Sequence, residues 1–405
     1  MKTTLKAKII MGLVFIAFLF FFSSDFGLID VEKTSIITAI AIDKTENEFT
    51  VTAQIAVPEA TDTNSENLKA QLSGKGTTIG AALKDLGDVS GWFPKLAFCN
   101  LILLGNSLSQ TNVIEALDYF AKTLRVQDSA LVALAENSAK ELLAITTPLD
   151  NISAFALQKV MFKTQGFDRD VASTDIKSFC AGHYSSSGSA FMPLIKTVDS
   201  GDNTSDESSS SSSAKSASGS ESSSGGSGGQ NKDKLFDART TALFKDGFKV
   251  GELDSDLTLT FNALTENFAG TTLPVDNVPE KDGSYGSYLL TVMTSTPKIT
   301  LSVGNDLTIN ISLKLYCKIS DHAAEGSKEA LSQNTPLPKA LKETAEKMIT
   351  DKINDLVDVE KQTGCDFLKI KEKLYRYHHK QYSKFKDNYL SVLKTKINVS
   401  VEGQK

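Results

Sequence analysis

Hydrophobic and polar positions along this chain repeat with two periods, and each change of period marks an element. Residues 35–42 read Ser-Ile-Ile-Thr-Ala-Ile-Ala-Ile, apolar on both faces, which predicts a central strand. A polar turn over 43–48 follows. Phe49, Val51, Ala53, Ile55 and Val57 then alternate with Thr50, Thr52 and Gln54, so a half-buried strand pairs back as an antiparallel hairpin. A short helix is expected over Thr78–Leu86 and a buried strand over Leu96–Leu104. Val113, Ile114, Ala116, Leu117, Phe120 and Ala121 fall at helical spacing behind Asn112, a natural N-cap. Ser129–Ala135 reads as strand, Ser138–Ile145 as a helix stopped before Pro148, and Ile152–Thr164 as a further helix.

The same two periods return later. Thr241–Phe244 and Phe248–Val250 flank Asp246-Gly247, a favoured hairpin turn. Ile299, Leu301 and Val303, then Leu307, Ile309, Ile311, Leu313, Leu315, Cys317 and Ile319, take every second position around Gly304-Asn305-Asp306, predicting a second hairpin. Pro336 and Pro338 introduce a long helix to about Gln362, striped with Leu341, Ala345, Met348, Ile349, Ile353, Leu356 and Val357. Lys394–Val401 closes as an alternating strand. Strands and helices alternate, yet the first strands form an antiparallel hairpin. The fold class expected is therefore α+β: several domains whose mixed or antiparallel sheets are each packed with helices.

Two segments fall outside these patterns. Lys2, Lys6 and Lys8 precede an unbroken apolar run from Ile9 to Phe22, as in an export signal. As a helix this run rises about 21 Å, short of a bilayer core of about 30 Å, and continuation to Ile29 brings it to about 31 Å. No good cleavage site follows, and no cysteine lies there to carry a lipid, so an uncleaved anchor is favoured over a cleaved signal. The lysines stay inside and the remaining chain faces outward. The other segment, residues 199–234, holds 15 Ser and 6 Gly with no Val, Leu, Ile, Phe, Tyr or Trp. Nothing in it offsets chain entropy on burial, so it is expected to be a disordered linker, or a long loop inserted between two strands of one domain. The organisation expected is thus a signal or anchor over 1–29, an α+β domain over 30–198, the Ser/Gly-rich segment over 199–236, and a second α+β domain over 237–405.

Composition narrows the function without naming it. The 405 residues are 40% hydrophobic and carry a net charge of −6, which argues against a general nucleic-acid or anionic-membrane binder and leaves room only for a local basic face. Cys99, Cys180, Cys317 and Cys365 lack Cys-x-x-Cys spacing and are expected to be buried, inert thiols. His378 and His379 are adjacent, so on a helix they point about 100° apart and cannot act as an i, i+4 metal pair. His183 and His322 stand alone. Gly74-Lys75-Gly76-Thr77-Thr78 lacks the spacing of a phosphate loop, and no Gly-x-Ser-x-Gly elbow is present. No catalytic, cofactor-binding or metal residue is assigned. Lys369–Lys386 interleaves Lys369, Lys371, Lys373, Arg376, Lys380, Lys384 and Lys386 with Tyr375, Tyr377, Tyr382 and Phe385. It reads either as an amphipathic element whose aromatics pack on a sheet, or as a surface for a membrane or partner subunit.

The order of segments resembles the Ger(x)C family, which contains the C subunits of bacterial spore germinant receptors. The resemblance rests on the Ser35–Asp43 strand ending in Ala-Ile-Asp, the Leu96–Gly105 strand, and Ser138-Ala139-Lys140-Glu141-Leu142-Leu143 ahead of Thr147-Pro148-Leu149. It continues in the Ala242–Gly251 hairpin, the long helix, the Tyr375–Tyr389 stretch and the ending up to Gly403. Three features depart from the family's pattern. The place of the usual lipid-bearing cysteine lies near Asp25, Tyr389 stands where a tryptophan is usual, and the Ser/Gly segment has no counterpart. The resemblance implies a non-enzymatic, membrane-anchored subunit without cofactors, held at the spore inner membrane beside membrane-embedded A and B subunits and needed for receptor assembly or signalling. The alternative from another class is an anchored extracytoplasmic hydrolase or wall-modifying enzyme.

Overall fold

The run without a polar face is buried on both sides from Ile37 to Ile42, with Ile36 exposed at its start, in the computed structural model, which describes residues 10–16, 18, 34–56, 69–123, 126–148, 150, 152–162, 170–199, 234–265, 268–280, 283–324 and 336–403. The first sheet contains β1 (Thr34–Thr45), β2 (Glu48–Ala56), β3 (Lys69–Gly76), β4 (Phe93–Lys95), β5 (Leu101–Leu104), β6 (Leu131–Ala135), β7 (Thr174–Asp175), β8 (Ser189–Asp199), β9 (Lys234–Lys245) and β10 (Phe248–Leu253). Its order is β10-β9-β8-β6-β5-β1-β2-β3, with β4 beside β1 and β7 beside β6. β1, β5, β6 and β8 run parallel at the centre, and antiparallel hairpins flank them. Helices cover both faces. α1 (Ile79–Ser90), α2 (Asn106–Ser109), α3 (Ile114–Thr123) and, later in the chain, α6 (Ile176–His183) share a core with Ile37, Ile40 and Ile42. α4 (Ala139–Ala144) and α5 (Ser153–Met161) share the opposite core with Ala39 and Ala41. That two-sided cover explains why β1 tolerates no polar side.

It also corrects one expectation. Thr52 and Gln54 were expected on a solvent face of β2, yet both are fully buried. α5 covers that face, and the Gln54 Oε1 accepts the Ala154 N–H at 2.8 Å, while the Thr52 and Ser73 hydroxyls pair at 2.9 Å. The Gln54 Oε1 and the two hydroxyls are thus paired while the Gln54 Nε2 has no hydrogen-bond partner among the described residues, and polar alternation survives in the sequence where exposure does not. The strand expected over Leu96–Leu104 is shorter than its apolar run. Leu96–Phe98 form one tight helical turn closed by the Cys99 N–H on the Leu96 carbonyl, and only Leu101–Leu104 join the ladder.

The second sheet has the order β11 (Thr272–Pro279), β12 (Tyr285–Val303), β13 (Leu307–Ala324), β14 (Leu393–Gly403). The last strand is parallel to β13 and the others are antiparallel. α7 (Ser255–Thr265), α8 (Lys339–Thr363), α9 (Ile370–Tyr377) and α10 (His379–Phe385) supply its core together with Ile309, Ile311, Leu313 and Leu315. The stripe read for the long helix is the face it buries: Leu341, Ala345, Ile349, Ile353, Leu356 and Val357. Mixed sheets packed with helices make an α+β protein.

The two sheets are not separated where the Ser/Gly-rich segment interrupts the sequence. β8 pairs with β9 from Ser189–Lys245 to Asp199–Lys234, so residues 200–233, which lie outside the described residues, connect antiparallel neighbours. The hairpin assigned by sequence to the 237–405 unit therefore forms an edge of the first sheet, turning through Asp246 and Gly247 at φ 52° and 87°. β9 serves both cores: Ala242 and Phe244 enter the first, Leu243 the second. Its alternation shows a strand buried on both faces but cannot say which sheet receives it.

Candidate functional site

The joint between the sheets is built where α8 ends. Gly364 takes the left-handed conformation, φ 67°, and its N–H caps the Glu360 carbonyl at 3.0 Å. This cap turns the chain so that Cys365, Asp366, Phe367 and Leu368 are buried against the first sheet. The Cys365 thiol donates to the Phe244 carbonyl at 3.2 Å, and the Asp366 N–H donates to the Ser189 hydroxyl at 2.9 Å. Phe261 bridges the layers, edge-on to Phe191 at 4.9 Å and to Phe367 at 5.7 Å.

Two carboxyl groups are sealed in this joint. Asp366 accepts the N–H groups of Ile370 at 2.6 Å and Lys371 at 3.0 Å, at the start of α9. Glu360 is fully buried, and its carboxyl meets that of Asp366. Burial, then the neighbouring Asp366, push the Glu360 pKa well above the usual carboxylate range, which favours its protonated form. Burial also raises Asp366, while the hydrogen bonds from Glu360, Ile370 and Lys371 pull it back. One proton is thus held between two acids, an arrangement that like charges at short range impose. Lys373 is the nearby cation. Its ammonium donates to the Leu368 carbonyl at 2.7 Å, and burial lowers its pKa. Tyr389 is buried and packed beside the same group, its hydroxyl pKa raised by burial. Sequence reasoning missed this pair. A Gly two residues ahead of an acid that opens a helix was its signal, but nothing local showed that Glu360 is buried.

The basic and aromatic stretch divides between its two readings. Ile370, Leu374 and Phe385 face the core, and Tyr382 is partly covered. Tyr375 and Tyr377 remain exposed, with Tyr375 edge-on to Tyr382 at 5.1 Å and to His379 at 5.5 Å. Arg376 pairs with Glu372 at 2.6 Å, and Lys384 reaches the Asn305 carbonyl. An exposed shelf of Tyr375, Tyr377, His379 and Lys380 results.

Other candidates are occupied by structure. Gly74 and Gly76 lie in β3 under α1, where a Cβ at Gly74 would come within 2.2 Å of the Ala82 carbonyl oxygen. These glycines permit close packing of strand on helix and do not form a phosphate loop. His322 stacks on Tyr288 at 4.1 Å, and its Nε2 stands 3.4 Å from the Glu280 carboxylate that also accepts the Tyr288 hydroxyl at 2.6 Å. This cluster ties β11 and β12 to β13. All four cysteines are buried and free; burial pushes Cys99, Cys317 and Cys365 to about 12 and raises Cys180. Thiols held protonated are poor nucleophiles. Among the described residues no group of three His, Cys, Asp or Glu side chains could hold a metal ion.

Residues 28–197 match a family described as "Spore germination protein N-terminal domain", and residues 239–404 match "Spore germination B3/GerAC like, C-terminal". The chain belongs to the GerAC-like spore germination family. The two matched regions part where β8 and β9 pair, so the family's sequence units and the sheets do not share a boundary. A crystal structure titled as that of the GerBC protein is similar over 93% of this chain and 100% of its own length, with 16% identity and a TM-score of 0.48. The search of curated proteins gives no match.

Proposed function

We propose that this protein is the C subunit of a spore germinant receptor: a non-enzymatic domain pair, anchored to the outer face of the spore inner membrane through Ile9–Phe22, that assembles with membrane-embedded A and B subunits. The observation that carries this reading is the pair of family matches over residues 28–197 and 239–404. The role is one of binding. Thiols are held protonated, the glycine-rich stretch is packing, and the shelf around Tyr375 and Tyr377 offers aromatic contacts of the kind protein interfaces favour. No catalytic, cofactor or metal site belongs to the proposal. Anchoring raises the local concentration of the domains against their partners, and the joint between the sheets supplies a place where a change in one partner reaches the other.

Ile10–Ile16 and Phe18 are helical and exposed, while the rest of the anchor segment lies outside the described residues. No helix among the described residues is long and apolar enough to cross a membrane. The test is purification from dormant-spore inner membrane in mild detergent, with co-purifying chains identified by mass spectrometry. Recovery of two multi-spanning partners is the expected result. A protein found instead in the vegetative envelope, without them, would overturn the proposal.

A further inference from the structure

The chain's one tryptophan is exposed, and it sits at the foot of the first sheet. α1 ends at Gly91, φ 70°, whose left-handed cap turns Trp92 outward ahead of β4. β4 pairs in parallel with the first residues of β1, Thr34 to Phe93 and Ile36 to Lys95. Partners in such a ladder share a face, so Ile36, Phe93 and Lys95 lie on one outer surface, all exposed. Val89 at the end of α1 is 78% exposed, Phe98 just after β4 is 52% exposed and Trp92 46% exposed. A groove of about 610 Å³ runs beside them, lined by Leu83, Gly87, Trp92, Pro94 and Tyr119. The ribbon that carries these side chains is fixed: the Ser35 hydroxyl donates to the Phe93 carbonyl, and the Trp92 N–H donates to the Ser90 hydroxyl.

Position says what covers this surface. Phe22, the last residue of the apolar run, is twelve residues before the start of β1, and twelve extended residues span at most about 40 Å. An anchored chain therefore holds the foot of β1 within that distance of the bilayer. Of all parts of the molecule, this end of β1 is the part tied there. Tryptophan and phenylalanine beside a lysine are the side chains that settle at the headgroup level, with rings at the apolar boundary and the ammonium toward anionic phosphate. We propose that Ile36, Val89, Trp92, Phe93 and Phe98, flanked by Lys95, form a membrane-contact foot that seats the first sheet on the lipid surface and so fixes the orientation of the whole domain pair. This rests on the anchored reading of Ile9–Phe22.

Because Trp92 is the only tryptophan, its fluorescence reports on the foot alone. The full-length chain is reconstituted into phosphatidylethanolamine and phosphatidylglycerol vesicles whose acyl chains are brominated just below the headgroup, and flotation and Trp92 quenching are read on the same sample. The expected result is co-flotation with roughly half or more of the emission quenched. Phe93→Ser with Phe98→Ser is expected to keep flotation and lose most of the quenching. Flotation with unquenched, water-accessible Trp92 overturns the foot and leaves the anchor standing. Loss of flotation overturns the anchor, and with it the distance argument. Shielding of Trp92 only when the multi-spanning subunits are co-reconstituted makes the surface a protein interface and overturns the lipid assignment.

Discussion

At the joint between the sheets two carboxyl groups are withdrawn from water, whereas at the foot of β1 three aromatic side chains are left in it. Both arrangements cost free energy in the isolated domain, but in different ways. Glu360 and Asp366 are held by the fold around them: a capped helix end, two backbone N–H groups and a neutralising proton. Trp92, Phe93 and Phe98 are held by a short ribbon that leaves about half of each residue in water. The joint therefore belongs to folding and to the coupling of the two sheets, and the foot to something outside the chain. That difference orders the effects expected when each is altered.

The largest effect is expected at the joint. Asp366→Ala removes the acceptor for Ile370 and Lys371 and leaves their N–H groups without that partner, at a cost of about 3 kcal/mol. A urea titration monitored by far-ultraviolet circular dichroism checks it, and a loss under about 1 kcal/mol would show that water replaces the carboxylate freely. Next comes Gly74→Ala, which sets a Cβ 2.2 Å from the Ala82 carbonyl oxygen and forces α1 away from β3. About 2 kcal/mol should be lost by the same titration, as for overpacked cores. An unchanged midpoint would mean that strand and helix separate without strain.

Glu360→Gln acts in the opposite direction. Its folded pKa is raised, so between the ordinary glutamate value and the folded value the folded state holds a proton that the unfolded state has released. The contribution of Glu360 to stability is therefore fully present below the ordinary glutamate value and falls as pH rises through that interval, by up to about 1.4 kcal/mol per pH unit. Asp366, also raised, adds loss of the same sign over its own lower interval, ending at about 6. Glutamine keeps the shape and a donor to Asp366 but does not titrate. The variant should be flatter with pH and more stable than the parent by about 1 kcal/mol or more at pH 8, read from urea midpoints across pH 5 to 8. Parallel pH profiles for parent and variant would place the titration elsewhere.

How much of this was readable beforehand follows from the same contrast. β13 and α8 were legible because each carries its own period over more than eight residues, and β1 because a long apolar run marks a strand covered on both faces, whereas of β12 only the end from Lys298 to Val303 was read. α6, α7, β8 and β11 were not: Ile176–His183 is two turns long, and the apolar residues of Ser255–Thr265 are interleaved with threonines. The membership of β9 was hidden for a different reason. Its partner β8 lies across the whole Ser/Gly-rich stretch, and no local signal spans that distance. The joint was illegible because its chemistry depends on burial that only tertiary packing creates. Trp92 and Phe93 were visible as residues, but a sequence does not say that aromatic side chains will stay outside.

The foot should respond least in the isolated protein, and that small response separates it from the joint. Phe98 is 52% exposed, so Phe98→Ser removes far less buried area than a core substitution would and opens no enclosed cavity. The expected change is within about 0.5 kcal/mol by urea titration, the range of ordinary surface substitutions. A loss of 2 kcal/mol or more, on the scale of a core truncation, would show that the ring belongs to the core and is no free surface. With stability unchanged, any loss of vesicle contact by the same variant has to arise at the surface itself, since the fold that presents the ribbon is intact. The pairing of β4 with β1 would then be doing two jobs with one set of hydrogen bonds: closing the edge of a buried strand, and aiming its outer face away from the protein.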